Sequence, residues 1–191
     1  MATFIPSAST SLTARSVRYT IASVDSYTTM NTPLVVLGLG SNKGDSPRIL
    51  ETAIVALGAV LQGLRRASLF ETEPLHVLDQ KRFLNTAVAG YYAARPRDLL
   101  EAIHTLEASL GRDRSRERRW GERTLDIDIL LFGDLLVAEP PDLEIPHPRL
   151  AERAFALAPL VELLPAAADP RTGVPYRRIL AGLPAQGIYL V

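Results

Sequence analysis

The 191-residue chain contains no cysteine, which excludes disulfide bonds, thiolate metal sites and cysteine nucleophiles. It also carries no net charge, because 21 basic side chains balance 21 acidic ones. A general nucleic-acid binder usually has a strong basic excess. No apolar run approaches the ~20 residues that a transmembrane helix needs. These features argue against membrane and nucleic-acid partners. We also expect a cytoplasmic protein that acts as a monomer, although these features do not determine the oligomeric state.

The first thirty residues differ in composition from the rest. They are rich in Ser and Thr, carry Arg15 and Arg18, contain Asp25 as their one acid, and lack the apolar core of a signal peptide. Two interpretations stay open: a disordered or transit-like tail, or translated upstream sequence with Met30 as the natural start. The second is favoured because a strong strand pattern follows Met30 almost at once. We place a single domain over residues 31–191.

Hydrophobic periodicity predicts alternating strands and helices. Strands are predicted over residues 34–39, 67–72, 83–92, 124–132 and 135–137. Helices are predicted from Ser46, from Pro96 to a stop at Gly111, over 149–164 with an interruption near Pro159, and over 177–183. The leading order, β-α-β-β-α-β, indicates an α+β, ferredoxin-like sandwich with an antiparallel sheet and packed helices.

The most informative segment holds two aspartates, Asp126 and Asp128, in a run of branched apolar residues. Side chains two apart on a strand share a face, so these carboxylates should point the same way, ~7 Å apart. Two like charges on one face are costly unless a cation or a basic group neutralises them. Carboxylate pairs suit Mg²⁺, which binds through one or two carboxylates together with substrate phosphates.

An arginine-rich segment precedes the aspartates. It contains Arg112, Arg114, Arg116, Arg118, Arg119 and Arg123. The planar guanidinium fork suits phosphate, so the two features together favour magnesium–nucleotide phosphate chemistry. Taken separately, each has a plainer interpretation: a solvated or arginine-paired Asp-x-Asp face, and a solvated loop or nucleic-acid patch. The loop after the first strand, with Gly38, Gly40 and Gly44, fits neither a dinucleotide fingerprint nor a Walker A loop and can be a tight strand-to-helix connection.

Several motifs occur in the order seen in 6-hydroxymethyl-7,8-dihydropterin pyrophosphokinases, and they span roughly residues 34–183. They are Gly40-Ser41-Asn42, Thr72-x-Pro74-Leu75, Phe83-Leu84-Asn85, Arg119-Trp120-Gly121-Glu122-Arg123-Thr124-Leu125-Asp126-Ile127-Asp128, Ile145-Pro146-His147-Pro148 and Arg153-x-Phe155. The chain resembles this family, and its central motif matches without a gap. The resemblance implies a ferredoxin-like enzyme of folate biosynthesis. Such an enzyme transfers pyrophosphate from ATP to the pterin hydroxymethyl group, giving the pterin diphosphate and AMP.

The resemblance also implies roles for individual residues. Asp126 and Asp128 would hold two Mg²⁺ ions that bridge the ATP phosphates. Catalysis would involve Arg112, Arg114, Arg123 and Asp126, with Arg112 and Arg114 on a mobile loop that closes over ATP. The nucleotide would contact Glu107, Arg119, Arg123, His147 and Arg153. The pterin would contact Thr72, Leu75, Phe83, Asn85, Trp120 and Phe155.

The chain departs from the family pattern at three places. The arginine loop is one residue longer than in the family, which leaves open whether Arg112 or Arg114 takes each family role. His104 replaces a glutamine expected at the nucleotide. Glu73 and His76 replace a proline and a glycine in the pterin loop. Two rival functions are a ferredoxin-like RNA-binding module and a metal-dependent nuclease. The first lacks the aromatic strand motif, and the second has only Glu122 as a further nearby acid.

Overall fold

The computed structural model describes residues 32–74, 79–113 and 121–191. Its strands are β1 (Leu34–Ser41), β2 (Gln62–Arg66), β3 (Phe70–Thr72), β4 (Phe83–Tyr91), β5 (Asp126–Phe132), β6 (Val137–Glu139), β7 (Leu143–Ile145) and β8 (Ile188–Leu190). Its helices are α1 (Ser46–Gly58), α2 (Pro96–Ser109), α3 (Ala154–Leu163) and α4 (Tyr176–Gly182), with a 3₁₀ turn at Leu150–Glu152. None of the described helices combines the length and the apolarity required to cross a bilayer.

The main sheet has the strand order β5-β1-β4-β3-β8, and β2 also pairs with β4. All of these pairings are antiparallel. Strands β5, β1, β4 and β3, with α1 and α2 as the two crossovers, form the ferredoxin-like βαββαβ unit, so the predicted fold class is confirmed. Strands β6 and β7 form a separate hairpin.

Helices cover both faces of the sheet, because the strands alternate apolar side chains between two cores. On one face, α1 and α2 pack Leu50, Leu57 and Ile103 against strand residues such as Leu37 and Ile127. On the other face, α3 and α4 pack Leu157, Leu160 and Tyr176 against Val36 and Leu130. The central strands are therefore buried on both sides, and their polar residues are confined to the strand ends.

The ends of the helices follow local chemistry. The Asp45 side chain accepts a hydrogen bond from the backbone N–H of Arg48 (3.2 Å), which caps α1. Pro96 is the first residue of α2, a position at which a backbone N–H would have no acceptor within the helix. The predicted interruption at Pro159 is wrong: α3 runs through this proline, which is buried against the sheet. Burial of the apolar helix face outweighs the loss of one helical hydrogen bond.

The strand predicted over residues 67–72 is shorter than expected, since β3 starts at Phe70 and β2 precedes it. Strand β2 is mostly exposed and polar, so it has no alternating apolar pattern to reveal it. Of the strand predicted at 135–137, only Val137 lies in a strand: it begins β6, which pairs with β7 in a hairpin. Strand β8, only three residues long, was not predicted.

Candidate active site

A cavity of about 230 Å³ opens at one end of the sheet, where the start of α3 faces the strands. The end of β1 and the first residues of β4 and β5 form its floor. The polar and aromatic side chains around it are Thr72, Glu73, Gln80, Phe83, Asn85, Thr86, Arg123, Asp126, Asp128, His147, Arg149, Arg153 and Phe155. The structure therefore brings together nine of the predicted site residues in one cavity.

Asp126 and Asp128 share one face of β5 and both line the cavity. Their pairing partners on β1 are Gly40 and Gly38. A Cβ atom on Gly40 would lie 2.9 Å from Oδ1 of Asn85, so the absence of a side chain there keeps the floor open. Strand alternation thus places two carboxylates in a cavity, as the sequence predicted.

Asp126 is held by two arginines. Arg112 Nη1 donates to its Oδ1 at 2.6 Å, and Arg123 Nη1 donates to its Oδ2. Burial favours the neutral acid, but the positive charges of Arg123 and Arg112 outweigh this effect and lower the pKa of Asp126. The Asp126 carboxylate is therefore ionised at neutral pH.

Arg112 lies in the protein interior beside Glu107. Their side chains are 4% and 1% exposed, and Arg112 Nη1 donates to Glu107 Oε1. The same Glu107 oxygen accepts the backbone N–H of Ile127 at 2.8 Å. We expected Arg112 on a mobile loop that closes over ATP; in this structure its guanidinium lies inside, paired with two carboxylates, and its role at ATP stays a prediction. Glu107 does not line the cavity, so its nucleotide contact stays a prediction.

Asp128 has a different environment. Arg153 Nη1 and His147 Nε2 lie 3.8 Å and 3.9 Å from its Oδ2, beyond direct hydrogen bonds. Burial first, and then the negative charge of Asp126, raise the pKa of Asp128 to about 7. The side chain is nevertheless 38% exposed to the cavity. One carboxylate of the pair is thus hydrogen-bonded by two arginines, whereas the other has the Arg153 guanidinium at the longer distance of 3.8 Å.

His147 is neutral at physiological pH. Burial and the nearby Arg153 lower the pKa of its imidazole to about 4. The backbone N–H of Arg149 donates to Nδ1 at 3.2 Å, so the ring proton lies on Nε2, which is 3.9 Å from Asp128 Oδ2. His147 therefore offers an uncharged N–H donor at the cavity wall.

The donor set fits a hard divalent cation. Asp126 and Asp128 present carboxylate oxygens on one face, and an added positive charge would keep Asp128 ionised. Within residues 32–74, 79–113 and 121–191, no group of three or more metal-ligating side chains converges on one point. A carboxylate pair without further protein ligands matches Mg²⁺, which completes its shell with water and phosphate oxygens.

The other end of the cavity is aromatic and amide-lined. Phe83 and Asn85 come from β4, Thr72 ends β3, and Phe155 lies in the first turn of α3. Asn85 Nδ2 donates to Thr72 Oγ1 at 2.7 Å, which fixes the amide orientation. The guanidinium of Arg153 lies 5.6 Å from the centroid of the Phe155 ring. A flat heteroaromatic ligand with polar edges suits such a surface.

Asn42 is a positioning residue to which the sequence analysis gave no role. Its side-chain Oδ1 accepts a hydrogen bond from the backbone N–H of Arg123 at 2.8 Å, and its backbone N–H donates to the Arg123 carbonyl at 3.0 Å. Its Nδ2 donates to the Lys81 carbonyl (3.1 Å) and to Gln80 Oε1 (3.2 Å). The Gly40-Ser41-Asn42 motif was the available signal. Arg149, at the cavity wall, was also not predicted.

Four predicted site residues lie outside the described residues: Leu75, Arg114, Arg119 and Trp120. Their roles stay predictions, as do the ligand contacts assigned to the residues inside the cavity. The described part of the site already combines a carboxylate pair, buried and half-buried arginines, and an aromatic wall. This combination is suited to holding phosphates near an aromatic acceptor.

Comparison with known proteins identifies the family. Residues 36–165 match the family model for 7,8-dihydro-6-hydroxymethylpterin-pyrophosphokinase (HPPK). The chain belongs to this family. The match covers both aspartates and the whole cavity floor, so the resemblance inferred from the motifs is confirmed.

Two groups of relatives are similar in sequence. The 2-amino-4-hydroxy-6-hydroxymethyldihydropteridine pyrophosphokinase of Bacillus subtilis is 42% identical over 132 residues, covering 68% of this chain and 77% of that protein. The mitochondrial folate synthesis bifunctional protein of Arabidopsis thaliana is 43% identical over 137 residues, covering 71% of this chain. This chain spans 24% of the length of that plant protein.

Solved structures share the fold. The crystal structure of a Plasmodium falciparum HPPK-DHPS triple mutant with pteroate superposes with a TM-score of 0.63 at 17% identity, covering 79% of this chain and 43% of that one. Another HPPK-DHPS, in complex with substrates, gives a TM-score of 0.65 at 14% identity and covers 80% of this chain and 43% of that one. At such low identity these matches show the fold alone.

Proposed function

We propose that this chain transfers pyrophosphate from ATP to 6-hydroxymethyl-7,8-dihydropterin, in a magnesium-dependent step of folate biosynthesis. The pterin hydroxyl oxygen attacks the β-phosphorus of ATP and loses its proton. The bond from this phosphorus to the oxygen shared with the α-phosphate breaks, and AMP leaves. The observation that carries the proposal is one cavity with paired carboxylates and arginines at one end and an aromatic, amide-lined surface at the other.

Asp126 and Asp128 are the residues that would hold two Mg²⁺ ions, which would neutralise phosphate charge when bound. Phosphoryl transfer needs mainly positioning and charge neutralisation from the protein. Arg112 and Arg123 keep Asp126 ionised and oriented in the unliganded chain. Arg123, the more exposed of the two arginines, is the one able to turn toward phosphates.

The opposite end of the cavity suits the acceptor. Phe83 and Phe155 offer aromatic surface, and the fixed Asn85 amide offers an edge contact for ring nitrogens and the oxo group. His147 adds a neutral N–H donor beside Asp128. Monomeric state, cytoplasmic location and independence from nucleic acid remain predictions from the sequence.

The test is an assay of AMP and pterin diphosphate formation from ATP and 6-hydroxymethyl-7,8-dihydropterin, with and without Mg²⁺. We expect stoichiometric formation of both products, dependent on the metal. Asp126→Asn and Asp128→Asn should each lower turnover by at least about a thousandfold while leaving a folded protein. ATP consumption that is independent of the pterin would contradict the proposal, and so would near-normal turnover by either variant at saturating Mg²⁺.

A further inference from the structure

The last described strand, β8, lies next to the cavity and pairs with β3 at the sheet edge. In this pairing Ile188 is opposite Thr72, the residue that ends β3 inside the cavity. The two residues before β8, Gln186 and Gly187, contact chain segments on two different walls of the cavity. One wall is the exit of β3, and the other is the start of α3.

Gln186 holds the wall that carries Arg153 and Phe155. Its Oε1 accepts the backbone N–H of Ala154 at 2.9 Å, and its Nε2 donates to the backbone carbonyl of Glu152 at 2.8 Å. Ala154 is the first residue of α3, so its N–H has no acceptor within the helix. One side-chain amide thus forms hydrogen bonds with the backbone on both sides of Arg153.

Gly187 holds the opposite wall. Its carbonyl oxygen accepts the backbone N–H of Glu73 at 3.2 Å, immediately after Thr72. The residue adopts a φ of +58°, in the left-handed region that favours glycine. A Cβ atom at this position would lie 3.0 Å from the Glu73 carboxyl group. A side chain would therefore displace Glu73, which lines the cavity.

We propose that Gln186 and Gly187 set the width of the pterin end of the cavity by tying its two walls to each other. Gln186 is then a positioning residue: it acts on the pterin through Phe155 without touching it. The inference rests on the proposed function, since it takes the aromatic end as the pterin site. Asp126 and Asp128 lie on β5, and none of these hydrogen bonds of Gln186 and Gly187 reaches that strand.

The first test replaces Gln186 with Ala, and Gln62→Ala in the exposed strand β2 serves as the matched control. Pterin affinity is measured by fluorescence with Mg²⁺ and a non-hydrolysable ATP analogue, and the KM values and kcat are measured separately. We expect the pterin Kd and KM to rise roughly five- to tenfold, the factor expected from one or two lost hydrogen bonds. The KM for ATP and the kcat at saturating pterin should change less than about twofold. The control should match the wild type.

The outcomes separate this inference from the proposed function. A wild-type chain that binds the ATP analogue but no pterin would overturn the proposed function, and this inference with it. A wild-type chain that binds pterin, with Gln186→Ala equal to it, would overturn the inference alone. A variant that loses ATP and pterin affinity in proportion would also overturn it, because Gln186 would then act on the whole site, through Arg153 or through general stability, and not on the pterin end. If Gln186→Ala does not fold, Gln186→Met keeps the side-chain volume and carries the same test.

The second test uses a matched pair of glycines. Gly187→Ala adds a methyl group against Glu73, whereas Gly173→Ala adds one at a φ of +72° with nothing within 4 Å. Both substitutions introduce left-handed backbone strain, so both should lower Tm by a similar amount. Only Gly187→Ala should weaken pterin binding, again about five- to tenfold. Equal pterin affinity in the two variants would overturn the role of Gly187.

Discussion

Substitution of Arg112 should destabilise the unliganded protein more than any change at a surface arginine. Arg112 Nη1 bridges two carboxylates, Glu107 and Asp126, and the arginine and Glu107 side chains are almost completely buried. Truncation to Ala removes the guanidinium that pairs with Glu107 and leaves that carboxylate in the interior. The Ile127 N–H remains as its partner, which satisfies one oxygen but does not cancel the charge.

The size of the effect follows from this burial. Removal of one partner from a buried ion pair typically costs about 3–5 kcal/mol, because the remaining charge loses its compensation without regaining water. In a domain of this size, 1 kcal/mol corresponds to roughly 2–4 °C in Tm. We therefore expect Arg112→Ala to lower the Tm of the unliganded protein by at least about 6 °C.

A second substitution isolates the electrostatic part. Glu107→Gln keeps an acceptor for the Ile127 N–H but removes the buried charge. In the Arg112→Ala background it should therefore recover part of the loss, giving a coupling of roughly 1–3 kcal/mol in a double-mutant cycle. Urea unfolding of the four proteins without ligands measures this coupling through the change in midpoint at constant m-value.

The control is Arg66→Ala. Arg66 pairs with Glu51 at 2.6 Å, but the two side chains are 55% and 61% exposed, so this ion pair should contribute less than about 1 kcal/mol. The reasoning would be refuted if Arg112→Ala cost no more than Arg66→Ala. It would also fail if Glu107→Gln and Arg112→Ala acted additively, since the two charges would then not compensate each other.

Three further perturbations address the cavity. Asp128→Asn should raise Tm near pH 8 but not near pH 4. The raised pKa of Asp128, about 7, means that the folded state binds the Asp128 proton more tightly than the unfolded chain does. Folding stability is therefore lost as pH rises from about 4 to 7. Solvent screening of this partly exposed group limits the gain to about 1–2 kcal/mol. Gly40→Ala should weaken pterin binding by about tenfold, measured by fluorescence titration, because its Cβ would displace the Asn85 amide. Asn42→Ala should lower kcat/KM for ATP by about tenfold, since it releases the backbone of Arg123.

Each of these has its own control. The Asp128→Asn gain should vanish at low pH, and a gain of equal size at both pH values would show that the charge is not its source. Gly58→Ala adds a methyl group to the end of α1 with nothing within 4 Å, so it should leave pterin affinity unchanged. For Asn42→Ala, unchanged kinetics with a lowered Tm would assign the residue to stability alone.

The carboxylate pair was predictable from sequence because a strand alternates its side chains. Residues 126 and 128 must share a face in any strand, and their apolar neighbours Leu125, Ile127 and Ile129 fix which face turns to the core. The order of strands and helices was likewise readable from periodicity, so the ferredoxin-like sheet followed. Strand β8, which supports the cavity wall, was not predictable, because three apolar residues are too short for a periodic signal.

The buried ion pairing of Arg112 with Glu107 and Asp126 was not predicted, although the sequence contained a signal for it. The local sequence presents six arginines in one segment, and nothing in their order distinguishes a buried side chain from an exposed one. The signal lies in α2, where Leu99, Ile103 and Glu107 follow one another at intervals of four and are all buried. An acid that continues an apolar stripe needs a buried cation, and Arg112 lies just beyond the end of that helix.

Under the proposed function, the charges of the described site favour a metal–nucleotide complex over ATP alone. With Asp128 ionised, the described site has four carboxylates and four guanidiniums: Glu73, Glu107, Asp126 and Asp128, against Arg112, Arg123, Arg149 and Arg153. His147 adds no charge. A triphosphate carries about four negative charges, which two divalent cations would cancel, so the loaded complex leaves the site close to neutral. Metal-free ATP would instead bring unbalanced negative charge beside Asp126 and Asp128, so we expect it to bind more weakly than the magnesium complex.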